Sequence, residues 1–361
     1  MIRKIFRWNT LLTAVAGTLL ATAAHAEFAA QGDPKPAVIL FGPTNDGGWS
    51  QAIDEARVRL ETELGLNIPQ AAEVPESATS IRPAAELFIE RGANIILGSA
   101  FGYSDTFKEL AEENPEIVFL NPAGTTNGDN LKSFYGRTYE TQYLCGMVAG
   151  GLSETGKLGF VAANPFGLVN WTINAYLLGA RQVNPDAELT VVFTGAWADP
   201  VKERAAAEAL IEQGVDVIGQ HVDTPATQVV AAEAGIAGTG HHRDLSEFSD
   251  ATQCSSVWTW DRFLKPEIEK IVSGEFEPMP FGAFLSIGDG AIDIACCGPA
   301  VSEDLKAKVM AERDAILAGK HVFAGPLSDR DGTVRVAEGE VLGDGALWEM
   351  DWFVDGVTGG P

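Results

Sequence analysis

The chain has 361 residues, 46% of them hydrophobic and 21% charged, with a formal net charge of −25. That balance describes a globular chain and excludes a disordered one. So acidic a surface repels nucleic acid and anionic lipid, and because the acidity is spread along the chain it reads as a solvated surface, not a metal store.

The N-terminus carries an export pattern. Arg3, Lys4 and Arg7 form a basic stretch, residues 11–24 are apolar and small, and Ala24-His25-Ala26 fits a cleavage site before Glu27. The apolar run is short for a bilayer span, and no Cys sits near the cut, so neither a membrane anchor nor a lipid anchor is expected. What remains is long for one hydrophobic core, since cores tend to split beyond roughly 250–300 residues. Two lobes are expected.

Short β-branched runs then alternate with helical patterns, the signature of an α/β chain. Residues 37–41 read as a buried parallel strand, 42–48 as a turn, and 49–64 as a helix closed by Gly65. A helix at 84–91 ends at Gly92 and leads into a strand at 94–98; 117–120 is another strand, and 142–152 an apolar, glycine-containing helix. The pattern restarts with a strand at 157–162, a loop at 164–170, a helix at 172–183 and a strand at 189–194. A helix at 201–213 closed by Gly214, a strand at 215–219 and a helix at 227–234 follow. Ala85-Glu86, Ile89-Glu90, Gly92 and Ile96 recur 122 residues later as Ala207-Glu208, Ile211-Glu212, Gly214 and Ile218, which suggests two similarly folded lobes. The last third resumes with a strand at 255–260, a helix near 262–272, a strand near 283–287 and a helix at 303–317. A glycine- and aspartate-punctuated hairpin pattern then runs over 332–357. Lobe one is assigned residues 27–154 plus about 258–284, and lobe two 155–257 plus about 285–361 with the hairpin extension.

Of the four cysteines, Cys254 is read as able to bridge to Cys296 or Cys297, and Cys145, in an apolar helix, as a buried thiol. In doubly wound sheets ligands bind beyond the carboxyl ends of the strands, so the residues just after each strand are the candidates. They include Asp46, Trp49, Phe101, Tyr103, Trp171, Trp197, His221, Asp223 and Asp244. The set is rich in aromatics, amides and carboxylates and poor in Lys and Arg. It suits a neutral, planar, donor-rich ligand and disfavours phosphate. His241-His242 with Asp244 is weighed as a metal or base cluster, but HExxH spacing is absent and the pair reads as a loop or a ligand hydrogen bond. No GxSxG elbow, P-loop or GxGxxG after a strand is present, so no enzyme is expected.

Several segments jointly carry a resemblance. They are Asp46-Gly-Gly-Trp-Ser-Gln51, Gly98-Ser-Ala-Phe-Gly-Tyr-Ser-Asp105, Asn174-Ala-Tyr-Leu-Leu-Gly-Ala-Arg181, Trp197-Ala-Asp-Pro200 and Gln213-Gly-Val-Asp-Val-Ile-Gly-Gln-His-Val-Asp223. With them the chain resembles the basic-membrane-protein-type substrate-binding proteins of ABC transporters and is similar to the purine nucleoside receptors. The tail Gly343-Asp-Gly-Ala-Leu-Trp-Glu-Met-Asp-Trp352 resembles that of a subgroup associated with purine bases such as adenine. The resemblance implies a type I periplasmic-binding fold, two doubly wound lobes joined by a three-strand hinge. It implies a purine stacked between Trp49 and Trp197, with Asp223 hydrogen-bonding the ring or its sugar; Asn174 belongs to the same motif set. The implied protein is periplasmic and monomeric, with a small-molecule ligand, an ABC permease of the inner membrane as partner, and no cofactor or metal. An exported nucleoside hydrolase and a sensory receptor for another planar ligand are the competing readings.

Overall fold

The computed structural model describes residues 32–277, 279 and 283–360, and the export pattern at residues 1–26 lies outside them. In chain order the first unit runs β1 (Pro36–Ile39), α1 (Trp49–Leu64), β2 (Gln70–Ala71), α2 (Ala78–Glu90), β3 (Ile95–Leu97), α3 (Ser104–Glu113), β4 (Val118–Pro122), β5 (Leu131–Gly136) and α4 (Thr138–Leu152). The second runs β6 (Lys157–Ala162), α5 (Gly167–Arg181), β7 (Glu188–Phe193), α6 (Pro200–Glu212), β8 (Val217–His221), α7 (Ala226–Ala234), β9 (Ala237–His242) and β10 (Thr252–Trp258). Then come α8 (Trp260–Ser273), β11 (Ala283–Leu285), β12 (Ile292–Cys296), α9 (Glu303–Leu317), β13 (Leu327–Ser328), β14 (Val334–Val336), α10 (Asp344–Trp348) and β15 (Val357–Gly359).

One sheet has the order β11-β5-β4-β3-β1-β2 and is parallel throughout. The other has the order β12-β10-β9-β8-β6-β7-β15, parallel except for the β10–β12 pair. Helices cover both faces, so the central strands are apolar on both sides. Ala37 and Ile39 pack outward on α2 and α3, while Val38 joins the larger core. The repeat seen in the sequence has a backbone cause. Gly92 and Gly214, with φ of 87° and 89°, end equivalent helices in the left-handed region where a side chain is strained.

The chain passes between the sheets three times: between β5 and α4, between β10 and α8, and between β11 and β12. The crossings are bonded to one another. Arg137 N donates to Leu285 O at 2.7 Å, Thr259 N to Ala291 O at 2.8 Å, and Ile287 N to the Glu140 carboxylate at 2.9 Å. Helix α4, which the sequence division puts in lobe one, packs along α5 and against β10. Glycines permit that close approach: a Cβ on Gly146 would stand 2.0 Å from Tyr176 O, and one on Gly179 1.9 Å from Tyr143 O.

Three expectations are corrected. Residues 164–170 are not all loop, because α5 begins at Gly167. The tail is only partly a hairpin: β13 and β14 pair, but α10 follows and β15 joins the edge of the second sheet alongside β7. Cys254 does not bridge to Cys296 or Cys297, which are bonded to each other; it turns its sulfur toward α4, 3.3 Å from that of Cys145.

Burial lifts the Glu140 carboxyl to about 7 from the ordinary 4.5. The folded chain therefore keeps a proton that the unfolded chain releases above pH 4.5, and stability falls as pH rises through the window between the two values. Glu140→Gln, which can still accept from Ile287 N, should remove a loss on the order of 3 kcal/mol across that window. Urea unfolding of both proteins at about pH 4.5 and about pH 7.5 checks this.

Candidate functional site

The carboxyl ends of the two sheets face each other across a cavity with about 460 Å³ of empty space, its mouth included. Phe41, Trp49, Ser99, Phe101 and Tyr135 reach it from the first sheet and its helices, and Leu168, Trp197, His221, Asp223 and His242 from the second. Trp49 opens α1 and is held by its indole N–H, which donates to Ser99 O at 2.6 Å. Behind it stand Trp258 and Trp260, stacked with centroids 4.2 Å apart and planes 9° from parallel. At the mouth Phe101 of the first unit stacks on Phe166 of the second, centroids 5.8 Å apart and 9° from parallel, and Phe166 also packs on Trp197.

The polar end is built from the ends of β8 and β9. The Trp258 indole N–H donates to His242 Nδ1 at 2.8 Å, and His242 Nε2 lies 2.9 Å from Asp223 Oδ1. His242, with φ of 72°, and Ala123, with φ of 61°, both line the cavity in the left-handed region. Such backbone positions cluster at functional sites. Burial raises the Asp223 pKa, opposed by the hydrogen bond from His242. Burial also holds His221 and His241 well below the usual histidine range, so both are neutral at pH 7. Beside them Glu203 accepts from the Thr224 hydroxyl at 2.5 Å, and burial lifts its carboxyl to about 7.

His221, His241 and His242 bring nitrogens within 4.8 Å of one another, a cluster that invites a metal reading. The hydrogen bonds around His242 argue against it. A histidine bound to metal through one nitrogen normally donates from the other, whereas His242 Nδ1 accepts from Trp258 and its Nε2 is engaged by Asp223.

Of the residues singled out in the sequence, Trp49, Phe101, Trp197, His221, Asp223 and His242 line the cavity. Five others lie elsewhere. Tyr103 is fully buried in the core of the first unit and donates to Val74 O at 2.6 Å. Asp46 caps α1, accepting from the backbone of Gly48, Ser50 and Gln51. Asp244 accepts from Ser246 N and closes a local turn. Trp171 and Asn174 sit on α5 facing inward: Trp171 donates to Thr138 Oγ1 at 2.8 Å, and Asn174 holds the C-terminal segment through Trp352 O and Val354 N. Sequence reasoning missed Tyr135, on a strand it did not see, and Phe41, Glu76, Ala123 and Leu168, which no motif marks.

Residues 34–319 match the family model described as ABC transporter substrate-binding protein PnrA-like. A putative ABC transporter glucose-binding protein of Haloferax volcanii is 34% identical over 89% of this chain and 79% of its own length. A purine-binding protein of Brucella abortus is 32% identical over 96% of this chain and 98% of its own. Among solved structures, an ABC transporter solute-binding protein from Conexibacter woesei superposes with a TM-score of 0.67 at 23% identity, covering 80% of this chain and 97% of that one. The fold is that of the type I periplasmic binding proteins.

The two units touch beside the cavity. Arg243 of the second bonds Glu55 of the first at 2.6 Å, and a Cβ on Gly48 would stand 2.0 Å from Asp223 O. Gly48→Ala should therefore prop the cleft open. Its expected result is a ligand affinity at least about tenfold weaker, because binding draws on closure of the cleft. Small-angle scattering with and without ligand should show the compaction reduced.

Proposed function

The chain belongs to the family of PnrA-like ABC transporter substrate-binding proteins, and we propose that within it this protein captures a purine base or nucleoside and delivers it to a permease. The observation that carries the proposal is the composition of the cavity wall. Five aromatic side chains, Phe41, Trp49, Phe101, Tyr135 and Trp197, line it, Asp223, Glu76, Ser99 and two histidines supply polarity, and no Lys, Arg, Asn or Gln lines it among the described residues. A flat, neutral ring bearing N–H groups matches that wall, since aromatic faces stack on it and carboxylates accept from its edge. Phosphate does not, lacking any cation to meet it.

The two relatives named above carry different ligands in their names, a purine and glucose. Aromatic faces also suit the apolar faces of a sugar, so glucose is the second reading. The wall favours the purine, because a flat ring can stack over its whole face on the aromatic side chains that line it. We further propose that the basic and apolar pattern of residues 1–26 directs export, so that capture takes place in the periplasm. The ligand is bound without being transformed.

Calorimetric titration of protein refolded free of carried ligand, with adenine, guanine, their nucleosides and glucose, tests the reading. Binding of a purine with the ligand recovered unchanged is the expected result. Heat with glucose alone overturns it, and turnover of a nucleoside would reassign the protein as a hydrolase. Trp197→Ala should weaken purine binding by about 1–3 kcal/mol, the scale of a base stacked on an aromatic ring.

A further inference from the structure

The protons at the polar end of the cavity are assigned by hydrogen bonds behind it. His221 Nδ1 lies 2.9 Å from Thr172 Oγ1. That hydroxyl has a single hydrogen, which it gives to Val169 O at 2.6 Å. Thr172 can then only accept from the imidazole, so His221 carries its proton on Nδ1 and keeps a lone pair on Nε2. His242 is fixed in the opposite sense. An indole N–H only donates, so His242 Nδ1 accepts from Trp258, and the remaining proton sits on Nε2 and points at Asp223 Oδ1. His241 lies 4.1 Å from both rings by centroid but does not complicate this face. Its Nδ1 faces the Gln142 amide, and its Nε2 makes no hydrogen bond with His221 or any other described residue.

Two acceptors result, the His221 Nε2 lone pair and the second oxygen of Asp223, which takes no hydrogen bond from a described side chain or backbone group. Both belong to residues that line the cavity. The neutral state of His221 at pH 7 keeps its acceptor in place.

Resting on the purine reading above, we propose that this end of the site selects amino-bearing purines over their deaminated counterparts, adenine over hypoxanthine and guanine over xanthine. His221 and Asp223 read the ligand, and Trp258 and His242 act as positioning residues. An amino group, alone or beside a ring N–H, offers hydrogens to both acceptors. A carbonyl in its place sets an oxygen against the lone pairs of His221 Nε2 and Asp223, and an unsatisfied buried pair of this kind is costly.

The test is calorimetric titration of the two base pairs. The expected preference for the amino member of each pair is about 10- to 100-fold. In Asp223→Asn the His242 Nε2–H keeps the amide oxygen turned toward itself, so the amide NH₂ faces the ligand. The adenine-to-hypoxanthine ratio should then fall at least about tenfold. Trp258→Phe, which frees the His242 tautomer, should shrink the same ratio, a change that mere loss of packing would not produce. Equal or tighter binding of the keto members by the unaltered protein overturns the proposal. A ligand-free measurement judges it independently: nitrogen NMR of labelled protein should show His221 protonated at Nδ1 and His242 at Nε2. The opposite tautomer at His221 overturns the proposal. If no purine binds, the ligand reading above falls, and the nitrogen spectrum alone decides whether the acceptor pair exists.

Discussion

The stacked pair Trp258 and Trp260 occupies the point where the chain leaves the second sheet and enters the helix that packs on α1. Trp258 ends a strand of one unit and Trp260 begins a helix of the other, so the stack ties the crossing to the site. Trp49 packs edge-on against both rings, and Trp258 orients His242. A movement of the two sheets relative to each other therefore acts directly on the residues that face the ligand. The hydrogen bonds among the three crossings confine that movement to a narrow path, which is the condition for a two-state cleft.

Much of the fold was legible because its signals are local. The helices Trp49–Leu64 and Glu303–Leu317 and the strand Lys157–Ala162 have the bounds read from sequence, each set by glycine punctuation, a capping serine or an unbroken apolar run. Strand β5 was not legible. Its Lys132 looks like a surface residue, yet it is buried and paired with Glu267 of α8, a partner no local pattern reveals. Position after a strand located Trp49, Phe101, Trp197 and Asp223 at the cleft. The same rule misplaced Trp171, and the family motif misplaced Asn174, because α5 starts five residues before the helix read from sequence and turns both side chains inward. What claims Asn174 lies far along the chain, at Trp352 and Val354.

Electrostatically the molecule separates two tasks. Its abundant acidic residues are mostly paired or solvated at the surface, in clusters such as Arg82 with Glu109 and Glu113, where each pair contributes little. The few buried carboxylates are treated individually. Glu267 is matched by Lys132 and Lys270 and held below the usual range against its burial, whereas Glu140, Glu203 and Asp223 are raised by burial. The raised groups sit at the crossings and beside the cavity, where selective hydrogen bonding matters more than net charge.

The order in which the sheets close has a consequence for how the chain folds. The first sheet is complete only when β11, residues 283–285, pairs with β5, and the second only when β15, residues 357–359, pairs with β7. Five of the second sheet's seven strands are thus synthesised before the first sheet can finish, and neither sheet is complete from its N-terminal strands alone. Pairings of such sequence separation close slowly. They leave unpaired strand edges exposed while they wait, so assembly of this chain is a late, concerted event that depends on its last residues.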